Sequence, residues 1–369
     1  MRRLVALDLP AGPGFVDALQ RVWDAGDAAL PLDRRWSAGA RADLGRRMGV
    51  SAVVDEHGTT PIEAGRPVET GDALVMATSG STGAPKGVVL THDAVAASAR
   101  ATSRWLEVSS DDHWLACLPL SHVGGLSVVT RALHTGTRLT VHDGFDEAAV
   151  EASGATLVSL VATALRRIDA SSFRWIVLGG SRPPDDRPAN SVTTYGMTET
   201  GSGVVYDRRP LDGVDLRVVE GEVHVRGPML LRCYRDGTVP LDADGWFATG
   251  DLGALEPDGR IAVHGRRGDL IISGGENVWP EPVEARLREH HGVADVAVVG
   301  VPDPEWGQSV TAVVVPVDPA RPPTLDDLRD WVKSSLPAYC APRRVVVRAT
   351  LPRTTLGKLK RDDVLAADR

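Results

Sequence analysis

Five clusters of functional groups, spread along the chain, are spaced for chemistry on a phosphate-bearing substrate. The first is Thr78-Ser79-Gly80-Ser81-Thr82-Gly83-Ala84-Pro85-Lys86-Gly87. Its glycines let backbone amides turn toward an anion, its four hydroxyls add donors, and Lys86 adds charge. That donor set suits a triphosphate, although the spacing is not the common Gly-x-x-x-x-Gly-Lys-Ser/Thr. A flexible surface loop is the bland alternative. The density of donors directly after the apolar run Ala73–Ala77 weighs against it.

The second cluster, Thr194-Tyr195-Gly196-Met197-Thr198-Glu199-Thr200, joins an aromatic face, hydroxyls and a carboxylate. Together these could stack a purine and hold a magnesium ion. In the third, Trp246-Phe247-Ala248-Thr249-Gly250-Asp251-Leu252-Gly253, an Asp follows a glycine. Such an Asp is usually a turn residue, and the functional reading is a carboxylate accepting bonds from ribose hydroxyls. The fourth runs from Gly265 to Val278 and the fifth from Pro352 to Arg361. Lysine occurs only at 86, 333, 358 and 360, with arginine supplying the rest of the 41 basic residues. Where arginine is the default, Lys86 and Lys358 in glycine-containing loops stand out.

These clusters need elements to position them. Ala73–Ala77 reads as a buried strand, His92–Leu106 as a helix, and strands and helices then alternate. Strands are expected at Trp114–Leu118, Arg138–Val141, Thr156–Leu160 and Arg174–Leu178. Helices are expected at Gly125–Leu133, Glu147–Ala152 and Ala162–Ile168. That alternation argues for an α/β fold with a mostly parallel sheet covered by helices. Residues 214–264 alternate apolar and polar, as a small antiparallel region does. Past Gly265 an α+β unit of about 100 residues is expected. It would hold a strand at Leu270–Ile272, a helix at Pro282–His290 and paired strands near Val296–Val301 and Val310–Val315. A helix at Leu325–Leu336 and a strand at Arg344–Val347 would complete it. The first seventy residues read as irregular, with Pro, Gly and Arg among short apolar pieces.

Composition excludes other classes. The chain has 369 residues and a net charge of −8, so a general nucleic-acid or anionic-membrane binder is not expected. No apolar run approaches the roughly 18 residues that span a bilayer. The N-terminal apolar run is too short for a signal peptide. Cys117, Cys233 and Cys340 lack disulfide or metal-ligand spacing. The expectation is a cytoplasmic protein.

Taken in order, the five clusters resemble the acyl-adenylate-forming superfamily of acyl-CoA synthetases, luciferases and peptide-synthetase adenylation domains, from about Leu74 to Arg361. Within it, the stretches Leu118–Leu126, Thr156–Val161, Tyr206–Leu216 and Ser273–Pro280 are most similar to the o-succinylbenzoate–CoA ligases of menaquinone biosynthesis, in a short form. The resemblance implies a large N-terminal domain, 1–267, and a mobile C-terminal domain, 268–369. It implies ATP, Mg2+ and CoA, and an acid–thiol ligase that forms an acyl-adenylate and then a thioester.

By the same resemblance, Thr78, Ser79, Gly80, Ser81, Thr82, Gly83 and Lys86 hold the β- and γ-phosphates. Gly180, Thr194, Tyr195, Gly196, Met197 and Thr198 surround the adenine, and Asp251 and Arg266 hold the ribose. Glu199 binds the metal, and Lys358 bridges carboxylate and α-phosphate. His122, Gly124, Ser127, Ser159 and Thr163 form the acyl pocket. His122 also stands beside the CoA tunnel of Ser273, Gly274 and Gly275, with Gly268 as hinge. A packed core histidine is the alternative for His122.

Three features depart from the family pattern. The phosphate loop lies early, which implies a truncated N-terminal region. The link Gly180–Val192 is short for a helical crossover. Gly268 stands where relatives have Asp or Lys. The partners are small molecules, and a homodimer is left open. Another aryl- or acyl-CoA ligase, a carrier-loading adenylation domain and an inactive nucleotide-binding relative remain the competing readings.

Overall fold

The computed structural model describes residues 2–79, 85–180, 186–353 and 359–365. Gly80, Ser81, Thr82, Gly83 and Lys358 lie outside the described residues. The chain divides into two compact units: a large one, Met1–Leu216 with His224–Ala248 and Asp258–Arg260, and a small one, Arg217–Val223 with Thr249–Pro257 and Ile261–Arg369.

Among the described residues, two seven-stranded sheets organise the large unit. One runs in the order Cys233–Tyr234, Pro85–Thr91, Asp72–Ser79, Ala28–Pro31, Leu4–Leu7, Ala52–Asp55, Gly58–Pro61. The other runs Arg209–Pro210, Ser202–Tyr206, Ser191–Met197, Trp175–Leu178, Leu157–Leu160, His113–Ala116, Arg138–Val141. Both are parallel at the centre; the first turns antiparallel at both edges and the second at one. The fold is α/β as expected, with mixed sheets. Leu4–Leu7 and Leu157–Leu160 are buried at every position. Such runs, buried without alternation, suit strands covered on both faces.

The expectation of an irregular first seventy residues is overturned. They form the strands Leu4–Leu7, Ala28–Pro31, Ala52–Asp55 and Gly58–Pro61 and the helices Pro13–Asp24 and Ala38–Met48. The residues that made the stretch read as irregular are punctuation. Pro13 occupies the first helical turn, Ser37 caps the second helix, and Gly49 ends it at φ 68°. Four-residue strands are too short for a periodic signal.

A second strand, Pro85–Thr91, was not foreseen either. It pairs antiparallel with Asp72–Ser79, so the donor-rich loop connects two strands of a hairpin. The short link before Ser191 does serve as a parallel crossover, because Ile176 pairs with Ser191. Described residues 186–190 carry a turn and no helix. Asn190 fastens that turn through Nδ2 to the carbonyls of Ala170 (2.9 Å) and Phe173 (2.7 Å).

A four-stranded sheet of Asp215–Val219, Glu222–Arg226, Phe247–Leu255 and Ile261–Arg266 is the antiparallel region expected over 214–264. Its first two strands meet at Glu220 (φ 48°) and Gly221 (φ 79°), the positive pair that a tight two-residue hairpin requires. The small unit is α+β. Its sheet is Glu276–Val278, Ile271–Ser273, Gly307–Pro316 and Val293–Asp303, with Arg344–Val347 added in parallel to Gly307–Pro316. Helices Pro280–Arg288 and Leu325–Lys333 pack Val283, Leu287, Leu328 and Val332 onto Val296, Val298 and Val310. Among the described residues, no helix is long and apolar enough to cross a membrane.

Helix Val123–Thr135 begins against the chain that leads into it. A Cβ on Gly125 would stand 2.4 Å from the carbonyl oxygens of Leu118 and Pro119, whereas Gly124 meets nothing nearer than 3.9 Å. Gly125→Ala should therefore lower the melting temperature by several degrees in a calorimetric scan, and Gly124→Ala should not. The scale is roughly 1–3 kcal/mol for an overpacked site and about 2–4 °C per kcal/mol at this size. Equal melting temperatures would refute the packing argument.

Candidate active site

Thr78 and Lys86 face each other across the hairpin, as do Ser79 and Pro85. The Thr78 hydroxyl donates only weakly, at 3.5 Å, to the Lys86 carbonyl. Lys86 is exposed, and its Nζ lies 5.1 Å from the ring centre of Tyr234. The Tyr234 hydroxyl donates to Glu199 Oε1 at 3.0 Å. Sequence reasoning chose Lys86 and Glu199 but missed the tyrosine between them. Tyr234 comes from an edge strand of two residues, which no periodicity reveals.

Gly180 and the segment Thr194–Glu199 come together by topology. Trp175–Leu178 and Ser191–Met197 are parallel neighbours, so both segments lie at carboxyl ends of strands, where open α/β sheets bind ligands. Gly180 takes φ 85°. Thr194 Oγ1 donates to the Leu178 carbonyl at 3.1 Å, tying the two strand ends. At Gly196 the strand bulges against Ser202–Tyr206, and a Cβ there would stand 2.2 Å from the Ser202 carbonyl oxygen. Thr198–Thr200 then turns as one 3-10 segment. It is closed by the Met197 N–H donating to Thr200 Oγ1 at 2.9 Å, and it presents Glu199 half-buried.

His122 sits just before helix Val123–Thr135, half-buried, with Arg35 Nη2 3.2 Å from its Nε2. Arg35 can only donate, so Nε2 accepts and the ring is the neutral Nδ1–H tautomer. Arg35 is itself gripped by buried Asp33, at 2.8 Å from Nε and 2.6 Å from Nη2. Burial pushes His122 below the ordinary histidine value. Asp33, 3.7 Å away, opposes that shift, and the Arg35 cation adds to it. Burial raises the Asp33 carboxyl, yet Arg35's hydrogen bonds and charge outweigh it and hold Asp33 low. Neither Asp33 nor Arg35 was singled out in the sequence, because both lie in the stretch read as irregular.

The other acyl-pocket candidates divide. Ser127 and Ser159 are buried, and the Ser127 hydroxyl has no partner among the described residues. Gly124 and Thr163 are exposed. Ser159 accepts from Arg131 Nη1 at 3.4 Å. Arg131 is only 2% exposed and also donates to Ser202 Oγ (2.6 Å) and Tyr206 Oη (3.4 Å), under the Trp114 ring. Among the described residues no carboxylate pairs with it, and its Nε finds no partner. One helical turn past Ser127, it was legible only as a helix residue.

In the small unit, Asp251 and Arg266 are cross-strand partners, with Arg266 Nε 2.8 Å from Asp251 Oδ1. Asp251 is buried within a strand, which corrects the turn-residue alternative. Arg266 Nη1 also donates to the Thr249 carbonyl at 3.2 Å. Gly268 lies in the turn Arg267–Asp269, outside the positive-φ region, with open space where a Cβ would go. Gly274 (φ 62°) and Gly275 (φ 84°) form the tip of the hairpin that follows buried Ser273. Arg361 binds Glu284, Glu281 (3.3 Å) and Asp269 (3.2 Å) together. A cavity of about 790 Å³ beside His290, His291 and Trp331 contains none of the candidate residues.

Residues 63–235 match the AMP-binding enzyme family, and residues 282–358 match the AMP-binding enzyme C-terminal domain. A probable 2-succinylbenzoate–CoA ligase of Mycobacterium tuberculosis is 37% identical over 96% of both chains. The 2-succinylbenzoate–CoA ligase of Enterococcus faecalis is 33% identical over 80% of this chain and 70% of its own. The chain belongs to the AMP-binding enzyme family. Among solved structures, the Bacillus subtilis o-succinylbenzoate CoA synthetase in complex with the acyl-adenylate intermediate OSB-AMP superposes with a TM-score of 0.88. Its identity is 29%, covering 99% of this chain and 89% of that one. The same enzyme with ATP and magnesium ion gives 0.86 at 28% identity. Asp251, Arg266, Gly268 and Ser273–Gly275 fall between the two family matches.

In this AMP-binding enzyme the Asp33–Arg35–His122 chain makes a definite electrostatic claim. Arg35→Gln removes the cation and leaves Asp33, so the His122 pKa should rise. Asp33→Asn removes the only opposing charge named above, so it should fall. Histidine NMR titrations of the two variants check both signs. A parallel shift in both would contradict the assigned contacts.

Proposed function

We propose that this chain is an o-succinylbenzoate–CoA ligase. It would activate o-succinylbenzoate with ATP to an acyl-adenylate and transfer the acyl group to CoA, releasing AMP and pyrophosphate. The observation that favours this substrate is Arg131, a buried cation that among the described residues is met by hydroxyls and an indole ring and by no carboxylate. Leaving a charge out of water without a counter-ion is costly. O-succinylbenzoate has two carboxylates: one is activated, and the other remains as a spectator anion that Arg131 would meet beside Ser159. A plain benzoate or fatty acid offers no such partner.

The first step joins two anions, so it depends on positioning and charge neutralisation. Lys86 and the donor-rich hairpin loop would hold the β- and γ-phosphates, and Tyr195 and Gly180 would flank the adenine. Asp251 would accept from the ribose hydroxyls, oriented by Arg266. A magnesium ion bound by one carboxylate takes its other ligands from phosphates and water. Glu199 fits that role: it is half-buried and its Oε1 is already oriented by Tyr234. When bound, the ion would supply further neutralisation of the polyphosphate. Lys358 would bridge carboxylate and α-phosphate.

In the second step, neutral His122 would stand beside the incoming thiol with its ring fixed by Arg35, and Ser273–Gly275 would line the route of CoA. The proposed division of labour is 1–267 and 268–369, with Gly268 as hinge, although residues 217–223, 249–257 and 261–267 cluster with the small unit. A glycine there supports the hinge by its freedom in both halves of φ space. The partners are small molecules, and the cytoplasm, where ATP and CoA are available, is the proposed setting.

The test is a panel of carboxylic acids assayed for ATP- and CoA-dependent thioester formation. O-succinylbenzoate should be preferred, with AMP as product; ADP would overturn the adenylate route. Arg131→Lys should keep part of that preference. Arg131→Met should lose about 10- to 100-fold in kcat/KM for o-succinylbenzoate, the scale of one charge-assisted contact, with little change for benzoate. Lys358→Ala should lose adenylation by about 10² or more, as for one preorganised electrostatic group. It should still convert supplied acyl-adenylate and CoA to thioester. Equal loss of both half-reactions would remove Lys358 from its assigned step.

A further inference from the structure

Residues 231–235 are sewn between two parts of the candidate site. The Leu231 N–H donates to the Glu199 carbonyl at 2.8 Å. The Arg232 N–H donates to the Val89 carbonyl at 2.9 Å, and the Arg235 N–H to that of Gly87 at 2.7 Å. Arg232 Nε and Nη2 reach the Asp72 carboxylate, each at 2.9 Å, and Arg235 Nε reaches the Met48 carbonyl at 2.9 Å. The segment is therefore rigid against the hairpin that carries Lys86. Tyr234 pairs with Val88. Lys86, two residues before Val88, shares its face of the strand and is the diagonal cross-strand neighbour of the tyrosine.

The result is one ring with a cation 5.1 Å from its centre and a carboxylate on its hydroxyl at 3.0 Å. A lysine on a flexible stem and a glutamate that contact the same side chain would otherwise be free to close into an ion pair. Paired, each would spend on the other the charge it needs for a ligand. A π contact uses none of the three ammonium N–H donors, and one hydrogen bond leaves Glu199 Oε2 available. Among the described residues neither Lys86 nor Glu199 is in an ion pair. A phenol that donates to an anion also becomes more electron-rich, which favours the cation on its face.

We propose that Tyr234 is a positioning residue that holds Lys86 and Glu199 apart and separately oriented, so that the phosphate-facing cation and the metal-facing carboxylate act on one MgATP together. The proposal rests on the roles given above to Lys86 and Glu199.

Calorimetric titration of the full-length protein with ATP, in EDTA and in excess Mg2+, tests it. Tyr234→Phe keeps the ring and removes the hydroxyl. ATP affinity in EDTA should be unchanged, and affinity with Mg2+ should fall about three- to tenfold, the scale of one hydrogen bond. The melting temperature should stay near that of the parent. Tyr234→Leu removes the ring as well, so metal-free ATP binding should also weaken. Glu199→Gln should abolish most of the magnesium-dependent gain, and adding Tyr234→Phe to it should cost nothing more.

If Glu199→Gln acts as stated but Tyr234→Phe leaves the magnesium-dependent gain intact, the positioning role is wrong while the metal assignment stands. If Tyr234→Phe lowers both affinities and the melting temperature together, the tyrosine is merely structural and the proposal is overturned. If Glu199→Gln leaves the magnesium-dependent gain unchanged, the metal assignment fails and the proposal with it.

Discussion

In the proposed reaction, two anions must be brought into contact on a protein whose own net charge is −8. Each cation meant to meet a ligand in that encounter has to be fixed in place without being neutralised by the protein's own carboxylates. The structure meets this constraint in different ways. Lys86 rests on an aromatic face and, among the described residues, in no ion pair, although its charge reaches Asp236 and, behind the hydrogen bonds from Thr238, helps hold that carboxyl low. Arg131 is buried among hydroxyls that accept its hydrogen bonds but carry no charge. Arg266 and Arg361, by contrast, are tied to carboxylates, which makes them orienting residues first.

Arg361 shows what such an anchor does. Burial works against its charge, and Glu284, Glu281 and Asp269 outweigh that penalty and raise its pKa further. A buried cation with three carboxylate partners is hard to release, because freeing it strands charge on both sides. It ties residues 359–365 to the turn that contains Gly268. The backbone adds to this, with Arg353 and Leu359 paired as an isolated bridge and the Lys360 N–H donating to the Pro352 carbonyl at 3.0 Å.

Much of the fold was legible because it rests on local signals. Arg138–Val141 and Arg344–Val347 are found at the residues expected. Helix His92–Trp105 stops one residue short of the expected end, its start marked by Thr91 as cap. The first seventy residues were not legible, since short strands flanked by Pro and Gly look the same as loop until a neighbour covers them. The hairpin strand Pro85–Thr91 was hidden for a related reason. It begins with a proline and carries a glycine where a Cβ would meet Met48 Sδ at 2.6 Å and Arg235 Cβ at 2.8 Å. Only the packed structure explains that glycine.

By itself the sequence determined the chemistry on offer. Clustered hydroxyls, glycines, carboxylates and scarce lysines in a set order define a site for a nucleotide and an acid, because functional-group type and local spacing are properties of the chain. Tertiary structure decided which groups touch. Asp33 and Arg35 meet His122 from nearly ninety positions away, Tyr234 reaches back to both Lys86 and Glu199, and Ser202 and Tyr206 receive Arg131. Those contacts are set by strand order and register, and a linear pattern carries no information about which strand will lie beside which.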